Sequence, residues 1–241
     1  MSEASALGSI AYASREVQIH RVGYRPDVWQ WTPWQYAVDG RFNGRWDDPD
    51  GVWRTMYVGD SRLACYLEIL APMRPDLVLA DVLGEIEEND EDIATFPTLP
   101  SGRVPRSWCD SRLVGTGSLT GEFVLIGDME TISDLRKRFR GLALTLGLDD
   151  LDAAAIRIAR PRALTQTIAA YLYQLATPAG RPVTGIEFSS RHADNCRLWA
   201  VFERDADTDL TIVPTPMNEP VDPFDPDLVE AMRLLDVEWA N

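Results

Sequence analysis

Short runs of strand period and longer stretches of helix period are interleaved along this chain without a regular strand-helix-strand rhythm. That irregular mixing is what most restricts its fold. Val17 to Val22, Thr55 to Val58, Glu122 to Ile126, Gly185 to Phe188 and Leu198 to Phe202 are short and rich in β-branched or aromatic residues, as strands require. Helical spacing marks four other segments: Leu63, Ala64, Leu67 and Leu70; Ile132, Leu135, Phe139, Leu142 and Leu146; Leu164, Ile168, Tyr171, Leu172 and Leu175; and Leu228, Met232, Leu235 and Trp239. Asp60 or Ser61 suits the first N-cap, Pro72 stops that helix, Pro161 stands near the start of the third, and Asp225-Pro226 opens the last. A doubly wound parallel sheet would place a helix after each strand, so the pattern predicts an α+β fold, one mixed domain with helices flanking a sheet.

Between these segments the sequence reads as connection. Leu77 to Leu83 resembles a buried strand, Glu85 to Asp92 carries six acidic residues in eight and reads as a solvated loop, and residues 97–121, rich in Pro, Gly, Ser and Thr around Trp108, read as one long loop. Trp29, Trp31, Trp34 and Trp53 crowd a short region and suit an interface, a core or a ligand-cleft wall. The 241 residues, 45% hydrophobic and 25% charged, suffice for one sizeable core with decorations: an N-terminal extension over 1–16, a main domain over 17–210, and a C-terminal extension with a final helix over 211–241.

Charge and cysteine usage narrow the function. A formal charge of −15 repels phosphate backbones and anionic lipid headgroups, so neither nucleic acid nor a membrane surface is an expected partner. The start, MSEASALGSIAYASREV, has neither a basic leader nor an apolar run, which predicts a cytoplasmic protein. Cys65, Cys109 and Cys196 lie far apart without a CxxC pair, and His20 and His192 are the only histidines, so no metal site is expected.

A small set of residues carries chemistry. Val17, Ile19 and Arg21 share a strand face, which puts a guanidinium among apolar side chains, and it needs an anion or acceptors there. Glu68 sits at the edge of a helix face that otherwise packs, either salt-bridged or exposed in a cleft. Gly44-Arg45-Trp46 joins a flexible residue, a fork donor and a large aromatic, a grouping suited to a phosphorylated or nucleotide ligand. Tyr57 is a stacking platform or core, and Ser189-Ser190-Arg191 offers hydroxyls and a cation at a strand end.

Taken together, Arg21, the stretch from Asn43 to Glu68 and the run Gly185 to Arg191 resemble the RES-domain family, named for its arginine, glutamate and serine, over residues 19 to 203. The resemblance implies an ADP-ribosyltransferase-like split β-sheet core and consumption of NAD as substrate, by phosphorolysis or by transfer of ADP-ribose to a protein. Known members are mostly bacterial toxins paired with a helix-turn-helix antitoxin, which makes a type II toxin-antitoxin pair the expected context. It implies further that Arg21 and Arg45, with Gly44, Trp46 and Arg191, hold the diphosphate and ribose, that Tyr57 packs on the nicotinamide, and that Glu68 is the catalytic carboxylate. Ser190 is the counterpart of the family serine, with Thr165 on the preceding helix as the alternative. Members commonly read Gly-Arg-Trp-Asn where this chain has Asp47, a negative charge near the implied diphosphate site. A non-catalytic nucleotide-binding or partner-binding protein of the same fold is the competing expectation.

Overall fold

The computed structural model describes residues 5–75, 101–158, 160–204 and 211–240. The strand expected at Leu77 to Leu83 and the acidic loop at Glu85 to Asp92 lie outside them. In chain order the elements are β1 (Ser5–Ala6), β2 (Tyr12–Tyr24), β3 (Thr55–Gly59), α1 (Arg62–Leu70), β4 (Arg103–Val104), α2 (Ser107–Asp110), β5 (Arg112–Leu125), α3 (Met129–Thr145), α4 (Ala153–Arg157), α5 (Arg162–Tyr173), β6 (Leu175–Ala176), β7 (Gly185–Ser189), β8 (Arg197–Phe202), β9 (Ile212–Pro220), α6 (Pro226–Leu235) and β10 (Glu238–Trp239). The result is one α+β domain around a mixed sheet.

The sheet is organised by its two longest strands. β2 and β5 pair antiparallel without a break from Tyr12↔Val124 to Tyr24↔Arg112. The far edge of β5 takes β9 along its first half and β7, in parallel, along its last residues. β7, β8 and β3 continue antiparallel, and β3 returns to β2 at His20↔Gly59, so the sheet closes on itself. Side chains at alternate positions then point into the closed space: Ile19, Met56, Val58, Phe123, Trp199 and Val201 form one buried cluster there. Outside it, α3 and α5 bury Leu135, Phe139, Leu164, Ile168 and Leu172 against one flank. On another, α1 and α6 pack Tyr66, Leu67 and Leu70 with Leu228, Met232 and Leu235.

The local signals hold where they were strongest. Ser61 caps α1, accepting from Ala64 N at 3.2 Å, and Asp225 caps α6 with its carboxylate on Asp227 N at 2.9 Å. The stretch 97–121 is a correction: most of its described part is the short α2 and then β5, the strand with most partners in the sheet. Its glycines are there for close approach, since a Cβ at Gly115 would collide with Val28 Cγ1 and lie 2.8 Å from Trp29 Cε2. Residues 211–240 are tied into the domain by β9 on β5 and α6 on α1, and β2 begins at Tyr12. Among the described residues no helix is long and apolar enough to cross a membrane.

Candidate active site

One cleft of about 560 Å³ opens between the outer edge of β3, the end of α1, the start of α5 and the turn after β7. Arg21, Arg45, Tyr57, Glu68 and Arg191, gathered from five separate segments, all line it. Arg54, Arg162 and His192 line it too, none of them singled out from the sequence. Among the described residues five arginines thus face one cavity in a chain whose formal charge is −15, a local cationic island in an acidic protein.

Arg21 reaches the cleft from β2 and finds its acceptors in main-chain carbonyls, Val28 O and, at 3.2 Å, Gln30 O. Those bonds fasten the segment that plugs the closed sheet with Val28 and Trp29. No carboxylate bonds it among the described residues, and burial pulls its pKa down to about 10. Arg45 stands over the Phe188 ring at 5.8 Å, its pKa lowered mainly by burial and further by Arg162 and Arg191, against the upward pull of Glu68.

Glu68 is half-buried on α1, one helical turn beyond Cys65, which lines the same wall. Its Oε1 accepts a 2.6 Å hydrogen bond from Ser190 Oγ, and Ser190 in turn accepts from His192 N at 3.0 Å. The amide occupies the serine oxygen, so the single hydroxyl proton is directed at the carboxylate. Ser190 is 1% exposed and stands behind Glu68, off the cleft wall. It therefore positions the carboxylate. Thr165 is buried as well, but its hydroxyl donates to Arg162 O at 3.1 Å within its own helix.

The loop before β3 is held by Asp47. Its Oδ2 accepts from Gly44 N and its Oδ1 from Tyr57 OH at 2.9 Å, while Tyr57 OH accepts from Trp46 N at 2.9 Å. Gln166 Nε2 adds a bond to Gly44 O at 3.1 Å. Asp47 is buried with both oxygens engaged, and burial raises its pKa. Gly44 lies off the cleft wall; a Cβ on it would sit 2.5 Å from Asp47 Oδ2 and 2.6 Å from Tyr57 OH. Gly44→Ala is therefore expected to cost about 1–3 kcal/mol of stability, read as a lower midpoint in thermal unfolding. Trp46 departs from its expected ligand contact: it is fully buried in the core, 6.0 Å from the Phe188 ring over which Arg45 stands.

The crowded tryptophans divide. Trp29 and Trp53 are core, Trp53 stacked on Tyr173 at 4.6 Å. Trp31 and Trp34 flank the Arg54 guanidinium at 5.9 and 5.7 Å, beside the cleft mouth, where Glu203 also holds Arg54 through Nε at 2.7 Å. Arg162 carried a weak signal, as the residue after Pro161 at a helix start, and His192 follows Arg191 directly. The three cysteines are buried and unpaired with one another.

A family model, the RES domain, matches residues 18–223. Among solved structures, the crystal structure of the M. tuberculosis MbcT-MbcA toxin-antitoxin complex superposes with a TM-score of 0.53 at 11% identity, over 94% of this chain and 92% of that one, a likeness of fold. No curated protein matches the chain.

Proposed function

The chain belongs to the RES-domain family, and from that premise we propose that it degrades NAD by cleaving the nicotinamide-ribose bond, as the toxin half of a toxin-antitoxin pair. The observation that carries this is the convergence of Arg21, Arg45, Tyr57 and Glu68 on one cleft. Arg21 and Arg45 hold the diphosphate, matching two fork donors to phosphate oxygens, with Arg191 beside them. Tyr57 has its hydroxyl committed to Asp47 and Trp46, which leaves its ring for the nicotinamide. Breaking the bond develops positive charge on the ribose, and Glu68, fixed by Ser190, stabilises that charge without bonding to it. Asp47 spends its charge inside the loop and so does not oppose the diphosphate.

An ADP-ribosyltransferase-like split sheet belongs to the same proposal, as does a helix-turn-helix antitoxin covering the cleft. The complex named for the superposed structure supports a protein partner for this fold, and an acidic tail or terminal carboxylate complements the arginine island. The purified chain is expected to release nicotinamide from NAD in the presence of water, phosphate or an acceptor protein. ADP-ribose 1″-phosphate among the products identifies a phosphorylase, free ADP-ribose a glycohydrolase, and a labelled protein a transferase. Nicotinamide that stays bound under all three conditions ends the proposal.

A further inference from the structure

We propose that the His192 imidazole is the base that takes the proton from the acceptor when ADP-ribose is transferred, a role that rests on the nicotinamide-cleaving reading. His192 is half-buried in the turn after β7, lines the cleft with Glu68, and donates its main-chain N–H to Ser190 Oγ. The turn that holds the carboxylate therefore also holds the ring.

The other titratable groups on the described cleft wall are already committed. The arginines are protonated and have no lone pair to offer. Glu68 accepts the Ser190 hydroxyl hydrogen bond and is assigned to the ribose in the proposed reaction, while Asp47 accepts from Gly44 and Tyr57. Tyr57 donates to Asp47, and burial pushes its ionisation well above the usual 10. Cys65 donates to His20 O at 3.1 Å, and burial pushes its thiol up to about 12. A neutral imidazole, in contrast, always keeps one free lone pair.

His192 is held neutral by its surroundings. Burial acts most strongly and, with Arg74 beyond α1, Arg191 on its own turn and Arg45 on the β3 loop, lowers its pKa below 6.5 against the opposing pull of Glu68 from α1. In the transfer step an acceptor oxygen bonds the ribose carbon. The carbon-nitrogen bond breaks with its electron pair passing to the nicotinamide ring, which discharges the pyridinium. The acceptor proton moves to His192 and then to solvent, so the positive charge lost from the pyridinium reappears on the imidazolium. Water and alcohols carry a proton that must be removed. Phosphate dianion brings an ionised oxygen and needs no base.

His192→Gln separates these cases, with nicotinamide release followed from pH 5 to 9 in water, methanol and phosphate. Hydrolysis and methanolysis are expected to fall by about 10²-fold or more, with phosphorolysis changed less than about threefold. The wild-type water rate rises with pH through an apparent pKa below 6.5; the variant lacks that limb, and added imidazole restores part of the rate to His192→Ala. Structural damage alone would lower all three acceptors equally and would not respond to imidazole. His20→Gln, on β2 and off the cleft wall, is the control. Equal loss across acceptors, unchanged hydrolysis in His192→Gln, or a wild type active with phosphate alone overturns the role while the parent reading stands. A wild type inactive with every acceptor overturns both.

Discussion

Glu68→Gln is expected to lower nicotinamide release by about 10²–10³-fold, equivalent to about 2.7–4 kcal/mol of transition-state stabilisation. Glutamine keeps the size of the side chain and retains a carbonyl oxygen for the Ser190 hydroxyl, whose 2.6 Å bond is the contact fixing the group. What disappears is the charge, whose effect grows as the ribose becomes cationic, so the loss should fall on kcat with KM for NAD nearly unchanged. The midpoint of thermal unfolding should stay within a few degrees, because the side chain is half-buried and its neighbouring guanidinium, Arg45, loses only a partly solvated interaction. Steady-state kinetics and a melting curve on the same preparation check both halves. A variant that melts normally and keeps full activity would remove Glu68 from the chemistry and leave stabilisation of the ribose charge to another group. Ser190→Ala, which frees the carboxylate to rotate, should give a smaller defect in the same parameter, as a positioning residue does.

How much of this was legible in the sequence follows from how local each cause is. Ser61, α1 and Pro72 are written within a dozen residues, and both cap and helix stand where the spacing puts them. The end of β5 reads as a strand from Glu122, but its residues 112–121 were hidden because Gly115-Thr-Gly-Ser118 imitates a loop, whereas glycine is required at 115 by Val28 and Trp29, far away in sequence. β9 was hidden by Pro214, Pro216 and Pro220, which an edge strand with one partner tolerates. In the site, Arg21 was found from a physical conflict, a cation on an apolar face, and Glu68 from its place at the rim of one. His192 and Arg162 gave no such conflict, and only the folded arrangement sets them beside Glu68 and Arg45. Asp47 shows the limit from the other side: its charge was visible, but the hydrogen bonds that turn it inward were not.

Arg21→Met is expected to weaken NAD or ADP-ribose binding by at least about 30-fold, roughly 2 kcal/mol, while leaving a folded protein. Among the described residues the guanidinium is bonded to two carbonyls and to no carboxylate, so those residues answer its charge incompletely. The sign of the pKa shift says the same. With a folded-state value of about 10, below the ordinary guanidinium range, burying the charged form costs stability at every pH below 10, and the cost is relieved only as pH climbs above 10 toward that ordinary range. A chain selected for stability alone would do better with an apolar residue on that face, since replacing a buried charge by a hydrophobe of similar volume is often neutral or stabilising. Here the gain is opposed by two carbonyls left without a donor, about 1–3 kcal/mol, so the variant should melt a few degrees lower. A bound diphosphate supplies the missing counter-charge, and ligand should therefore raise the wild-type melting temperature far more than that of the variant. Calorimetric titration with ADP-ribose alongside melting curves with and without it measures both effects. If the variant binds as tightly as the wild type, Arg21 serves only to fasten Val28 and Gln30, and the diphosphate site must be sought around Arg45, Arg162 and Arg191 instead.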